Sequence, residues 1–339
     1  MKKNELRVTS NKSRVLSGMR STGRLHLGNF HGALQNWVKL QEANECFFFV
    51  ADWHSLTTDY SEPSGLKLNA QEILIDWLAC GLDPKKSTLF IQSWILEHAE
   101  LHLLLSMITP LSWLERVPSY KDLKQQLSDK DLSTYGFLGY PNLQTADIVI
   151  YNANKVPVGE DQVAHIELSR EIVRRFNFLY GGDVITEPQP LLTPTPKVPG
   201  LDGRKMSKSY NNCIYISDTK EAVNKKIMPA MTDPARMRRT DKGNPDVCLI
   251  FDYHKLYTPE GERKEIDAGC RSAGIGCVDC KKKLLAHMDK FWDPIRERRA
   301  EIAKKPDKVW EIAKDGTKKA KEEAQKTMER VREAMKIKY

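Results

Sequence analysis

The chain has 339 residues, 40% hydrophobic and 29% charged, enough for two or three domains each with a sizeable core. No run of about 18 apolar residues occurs, which argues against a membrane-spanning helix, and the basic start "MKKNELRVTSNKSRV" lacks the apolar stretch of a signal peptide, so a cytoplasmic location is expected. Seven cysteines, an odd number, in a reducing compartment argue against a disulfide framework, and the isolated Cys46, Cys80 and Cys213 read as inert core or surface residues.

In chain order, "RVLSG" (14–18), "CFFFVAD" (46–52) and "TLFIQS" (88–93) read as buried strands, while "HGALQNWVKLQEA" (31–43) and "NAQEILIDWLACG" (69–81) carry apolar residues at helical spacing. Strands alternating with helices predict a parallel α/β sheet. Residues 97–138 contain no clear strand and read as a helical insertion. The alternation resumes with "KVPVG" (155–159) and a helix from Asp161 to about Phe178. The Pro- and Gly-dense "EPQPLLTPTPKVPGLDG" (187–203) reads as a loop or boundary. Beyond about residue 211 the chain reads helical, interrupted by a cysteine-bearing region at 245–283 and ending in a charged amphipathic helix. This divides the chain into an α/β unit, 1–210, and a helical unit, 211–339. The charge is uneven: residues 281–339 hold 19 Lys+Arg against 11 Asp+Glu, which accounts for the whole net charge of +8. Such a segment is either a solvated helix face laced with ion pairs or a surface for a polyanion such as RNA.

Two familiar phosphate signatures are absent, the P-loop G-x-x-x-x-G-K-[ST] and a G-x-G-x-x-G after the first strand. That strand leads instead into "SGMRSTGRLHLGN" (17–29). Gly18 and Gly23 permit a tight turn, and "HLGN" opens the next helix, where free backbone N–H groups favour an anion and His26 and Asn29 add neutral donors. The plainer reading is a strand–turn–helix corner whose polar residues cap the helix. A second candidate, "GRKMSKS" (203–209), suits a lid over phosphates, with Lys205 and Lys208 supplying charge and Ser207 and Ser209 hydrogen bonds. Alone, it would pass for a surface Lys/Ser loop.

In this order on an α/β pattern, "HLGN" and "KMSKS" resemble the two signatures of class I aminoacyl-tRNA synthetases. With "GRLHLGNFHGALQNWVKLQ", "YPNLQTADIVIY", "VPVGEDQVAHIELSREIVRRFN" and "KMSKSYNN", nearly the whole chain is similar to the bacterial tryptophanyl-tRNA synthetases. The resemblance implies a Rossmann-like parallel-sheet catalytic domain with a helical insertion, plus a C-terminal all-helical domain that reads the tRNA anticodon. It implies a homodimer with the insertion near the subunit interface. The implied reaction is attack of the tryptophan carboxylate on the α-phosphorus of ATP, with Mg²⁺ carried mainly by the nucleotide, then transfer of the adenylate to a ribose hydroxyl of tRNA(Trp).

The same resemblance assigns residues. Asp147 matches the acceptor of the indole N–H, a donor-only group that needs a buried partner; the local alternative is a helix-surface carboxylate or cap. Tyr140, Gln144, Gln162 and His54 match other positions lining the amino-acid pocket. Gln144 is the type common in tyrosine enzymes, where many tryptophan enzymes have methionine. Leu16, in turn, stands where tyrosine enzymes usually place a tyrosine, so tyrosyl-tRNA synthetase is the competing reading. Arg20, Ser21, Thr22, Gly28, Asn29, Gly159, Glu160, Asp161, Val198, Lys205, Met206, Ser207, Lys208 and Ser209 match ATP-contacting positions, with Arg20 replacing the glutamine common in the family. His26, Asn29, Lys205 and Lys208 are the implied catalytic set; a protein nucleophile is not needed. "TDPARMRRTDKG" (232–243) would add phosphate contacts. Two readings from other classes are a nucleotidyltransferase of the same superfamily and a non-catalytic RNA-binding paralogue.

Cys248, Cys270, Cys277 and Cys280 form C-x21-C-x6-C-x2-C. The C-x2-C pair lacks the βαβ setting of a thioredoxin-like redox motif, and scattered structural thiols are the bland alternative. Spacing alone favours zinc, and a [4Fe–4S] cluster equally accepts four thiolates. A subset of bacterial tryptophanyl-tRNA synthetases resembles this chain here and carries such a cluster. The group would be structural, shaping a non-periodic 245–283 segment and presenting Lys281 to Lys283 near the anticodon.

Overall fold

The computed structural model describes residues 12–117, 131–192 and 198–339, the side chain of Asp161 excepted. Part of the expected insertion therefore lies outside the described residues. The apolar runs become adjacent strands because both of their faces are covered, as parallel sheets require. Strands β1 (Arg14–Arg20), β2 (Glu45–Ala51), β3 (Ser87–Ile91), β4 (Lys155–Val158) and β5 (Gln189–Leu192) form one parallel sheet in the order β3-β2-β1-β4-β5. Strand β5 lies within the stretch expected to be loop. Its Pro190 cannot donate to a ladder, and an edge strand, paired only with β4, tolerates that.

Alternate side chains of β1 and β2 point to opposite faces. Val15, Phe48 and Val50 enter one apolar cluster with Trp37, Trp77, Leu284, Met288 and Trp292. Leu16, Phe47 and Phe49 enter the other with Phe90, Leu101, Ile148 and Ile172. Helices cover both faces. After α1 (Leu27–Asn29) comes a π-helical turn (Phe30–Leu34), then α2 (Gln35–Leu40), α3 (Asp52–Asp59), α4 (Leu66–Cys80), α5 (Glu97–Ser106), α6 (Leu111–Glu115), α7 (Tyr135–Val149) and α8 (Val163–Tyr180). Among the described residues the remaining ones are α9 (Lys220–Ile227), α10 (Leu249–Tyr257), α11 (Glu260–Arg271), α12 (Cys277–Ala303) and α13 (Pro306–Ala334).

Helix α13 does not stand apart from the sheet. Its Val309 and Ala313 belong to the first cluster, and its Ala320, Ala324, Met328 and Val331 to the second. The helix therefore crosses the outer edge of β3, and Gly316 sits at the crossing. A Cβ there would lie 1.8 Å from the Leu89 carbonyl oxygen, so only glycine permits the approach. Crossing this edge shields a strand that would otherwise present unpaired backbone groups. The first cluster likewise joins residues on both sides of position 211. Asp76 of α4, fully buried, pairs with Arg299 of α12 at 2.7 Å.

Two expectations about the C-terminal half are corrected. The 245–283 segment is mostly helical, in α10, α11 and the first turns of α12, and α11 buries only Ile266. Lys281 is not presented to solvent. It is 7% exposed, and its Nζ donates to the Met228 and Ala230 carbonyls at 2.7 and 2.6 Å, capping the end of α9.

Candidate active site

The site lies where the strand order reverses, between the carboxyl ends of β1 and β4, the usual ligand crevice of an open α/β sheet. At the end of β1 the chain turns into α1, and the physics of "HLGN" becomes explicit. His26 is the N-cap: its Nδ1 accepts from the Asn29 backbone N–H at 3.3 Å, while Asn29 Oδ1 accepts from the His26 N–H at 3.0 Å. This reciprocal capping box uses Nδ1 as an acceptor and so leaves the ring proton on Nε2. Gly28 makes room for the ring, since a Cβ there would sit 2.9 Å from it. Burial first, then the charges of Lys208 and Lys205, pull His26 down to about 4, so it is a neutral donor at physiological pH. The π-helical turn comes next, and its Gly32 and Ala33 line the adjoining cavity.

The "KMSKS" loop folds onto this corner. Lys208 Nζ donates to the Gly23 carbonyl at 2.9 Å, and burial draws its pKa down to about 8. Asn212 pins the loop: its Oδ1 accepts from the Ser207 N–H at 2.8 Å, and its Nδ2 donates to Asp202 at 2.7 Å. Met206 is buried and anchors the loop in the core, Val198 packs in the same cluster, and Lys205 and Ser209 are exposed. Two signatures about 180 residues apart thus meet, and the charges of both lysines act on the neutral imidazole.

The cavity itself measures about 490 Å³. Leu16 and Gly18 of β1, His54 of α3, Tyr140, Gln144 and Asp147 of α7, and Gly159 and Gln162 after β4 all line it, as does Arg20. The Arg20 guanidinium reaches Thr58 Oγ1 and lies 4.0 Å from Asp59. Ser21, by contrast, is wholly buried, its N–H donating to Ser55 Oγ at 2.8 Å and its hydroxyl bonded to the same atom. Thr22 and Glu160 are exposed. Asp147 is 1% exposed. Burial opposes its charge, but hydrogen bonds from His54 and His98 prevail and hold its carboxyl down at about 2. It is an ionised acceptor in a pocket lined by both apolar and polar side chains.

The four cysteines lie in one part of the helical half. Cys248 is the N-cap of α10, Cys270 lies near the end of α11, and Cys277 and Cys280 occupy the first turn of α12. Burial, and then the charges of Cys248, Cys270 and Cys277, push the Cys280 thiol up to about 12. His254 Nε2 lies 3.3 Å from Cys280 Sγ, and Arg236 Nη1 lies 3.8 Å from Cys270 Sγ. Arg236 is therefore structural rather than an RNA contact: it is 8% exposed and also donates to the Arg239 and Ile275 carbonyls. Among the described residues no group of three or more His, Cys, Asp or Glu side chains is set in metal-holding geometry.

Residues 9–293 match the family of class I tRNA synthetases for W and Y. The chain is 55% identical to the tryptophan–tRNA ligase of Thermotoga maritima, covering 96% of this chain and all of that one. It is 48% identical to the tryptophan–tRNA ligase of Aquifex aeolicus with the same coverage. The chain belongs to the class I tryptophan–tRNA ligase family. Its fold superposes on tryptophanyl-tRNA synthetase from Campylobacter jejuni complexed with ADP and tryptophan, at a TM-score of 0.86 and 34% identity over 95% of this chain and 99% of that one.

Several residues of this ligase-family site carry no signal in the sequence. Asn36, two turns beyond "HLGN", faces the cavity with its buried Nδ2 unpaired among the described residues. Gln92 and His98, which grip Asp147, come from the end of β3 and from α5. Only the proximity created by the fold singles them out.

Proposed function

We propose that this chain is a tryptophan–tRNA ligase that activates L-tryptophan with ATP and transfers it to tRNA(Trp). The observation that carries the amino-acid choice is Asp147, a buried carboxylate held ionised at the wall of the cavity. Indole is donor-only, and leaving its N–H unpaired in such a pocket would cost about 1–3 kcal/mol. Leu16, which lines the same cavity, offers a phenol no hydrogen bond.

The chemistry is one of positioning and charge. The tryptophan carboxylate attacks the α-phosphorus of ATP, and the bond to pyrophosphate breaks. Lys205 and Lys208 stabilise the charge gathering on the leaving group, and His26 donates from Nε2 to a phosphate oxygen as a neutral group. Arg20, Gly159 and Glu160 hold the nucleotide, whose Mg²⁺ travels with it. A ribose hydroxyl of tRNA then attacks the adenylate carbonyl and expels AMP.

Cytoplasmic location accords with this role. A homodimer is supported by Leu96, Leu103, Met107 and Leu111, large apolar residues exposed around α5 and α6. The four cysteines are assigned a structural four-thiolate group, a [4Fe–4S] cluster with zinc as the alternative. Cys248 caps α10, Cys270 lies near the end of α11, and Cys277 and Cys280 stand in the first turn of α12, so one group would reach all three helices. When bound, the group supplies a cross-link between α10, α11 and α12, outside the aminoacylation chemistry.

Amino-acid-dependent ATP–pyrophosphate exchange tests the reading. Tryptophan should support exchange and tyrosine should not. Exchange with tyrosine instead would transfer the assignment to the tyrosine branch, favoured by Gln144 in the cavity wall, and exchange with neither would end the synthetase reading.

A further inference from the structure

Both oxygens of Asp147 accept hydrogen bonds. Oδ1 accepts from Gln92 Nε2 at 2.9 Å and from His98 Nδ1 at 2.6 Å. Oδ2 accepts from Gln92 Nε2 at 2.8 Å and from His54 Nε2 at 2.9 Å. Three donors ring the carboxylate, Gln92 bridging both oxygens, and an indole N–H that enters from the cavity meets the direction His54 occupies.

The three donors differ in freedom. Gln92 and His98 are wholly buried and do not line the cavity; His54 does line it. The Gln92 amide is oriented by its other end, since Oε1 accepts from the Trp53 N–H at 3.1 Å and Nε2 must then face Asp147. The His98 ring lies within about 6 Å of the rings of Phe49, Phe90 and Tyr151, and with Nδ1 donating to Asp147 its Nε2 accepts from the Tyr151 hydroxyl at 2.6 Å. Burial keeps that hydroxyl protonated.

We infer that Gln92, His98 and Tyr151 are positioning residues for amino-acid recognition: they fix the Asp147 carboxylate so that the one exchangeable acceptor direction, now held by His54, meets the substrate N–H. The inference rests on Asp147 being the partner of indole. In the free protein His54 keeps the buried carboxylate satisfied; on binding, the indole N–H replaces it. An isostere without that N–H displaces His54 and leaves a lone pair unpaired, so it is rejected.

The test is pyrophosphate exchange with tryptophan and with 3-(3-benzothienyl)alanine, which has sulfur in place of N–H. The wild-type chain should prefer tryptophan by at least about 100-fold in kcat/KM. His98→Leu should erode that preference at least about tenfold, mainly by raising KM for tryptophan, with KM for the analogue moving less than about twofold. His98→Asn, whose amide can donate from the place of Nδ1, should recover most of it. Tyr151→Phe removes a single hydroxyl and covers the case in which His98→Leu fails to fold; it should cost preference by about two- to fivefold. An unchanged preference in folded His98→Leu or Tyr151→Phe, or parallel KM increases for both substrates, overturns the inference. Failure of the underlying reading looks different: the wild type itself would show no tryptophan-dependent exchange, or would exchange without discriminating.

Discussion

His26 and Lys208, proposed to act on ATP, also serve the fold. His26 caps a helix through Nδ1 and thereby commits its proton to Nε2, so the plain capping reading and the functional one describe two ends of one ring. Lys208 is drawn down to about 8 by burial, below its ordinary 10.5, so its charge is lost as pH rises through that value. In the free protein, kcat/KM for ATP should therefore fall above about pH 8, and Lys208→Arg, always charged, should move that limb upward while lowering the plateau. Lys208→Ala should slow adenylate formation roughly 100- to 1000-fold with little change in tryptophan affinity. Single-turnover rates and equilibrium binding check this, and equal losses in both would remove Lys208 from leaving-group stabilisation.

Among the elements, α13 departs most from its sequence reading. Its composition suggests a basic, solvated or RNA-facing helix, yet one stripe, Ala313, Gly316, Ala320, Ala324 and Thr327, is buried as the helix crosses the β3 edge. Glycine in a helix interior ordinarily costs about 0.5–1 kcal/mol relative to alanine, so Gly316→Ala on an exposed helix would stabilise. Here the sign reverses, because the methyl would meet the Leu89 carbonyl. Overpacking of this kind costs about 1–3 kcal/mol, and Gly316→Ala should lower the denaturation midpoint in urea. A raised midpoint would show that α13 does not press on β3.

At the scale of the molecule, an apolar cluster and the Asp76–Arg299 pair tie the C-terminal helices to the sheet, so the charged arginines there are partly spent on structure. Arg299 also reaches Glu72, and Arg332 pairs with Glu100. The cysteine group sits in this helical region, where α10, α11 and α12 converge. Protein purified without oxygen should be brown, and Cys277→Ser should abolish the colour and destabilise the C-terminal helices. A colourless protein with one zinc per chain would refute iron, and one with neither metal would refute the four-thiolate group.

The sequence alone determined the parallel α/β class and four of the five strands, because strands buried on both faces read as apolar runs, while the pairing of "HLGN" with "KMSKS" came from their resemblance to a family. It also marked Asp147, through the motif around it. Which groups hold that carboxylate was left to the tertiary structure, since Gln92 and His98 lie about 50 residues away and only the adjacency of β3, α5 and α7 brings them within 3 Å. The same holds for Lys281 and Arg236. Periodicity tells which face of a helix is apolar, but whether a cation is solvated depends on carbonyl groups that arrive from elsewhere in the chain.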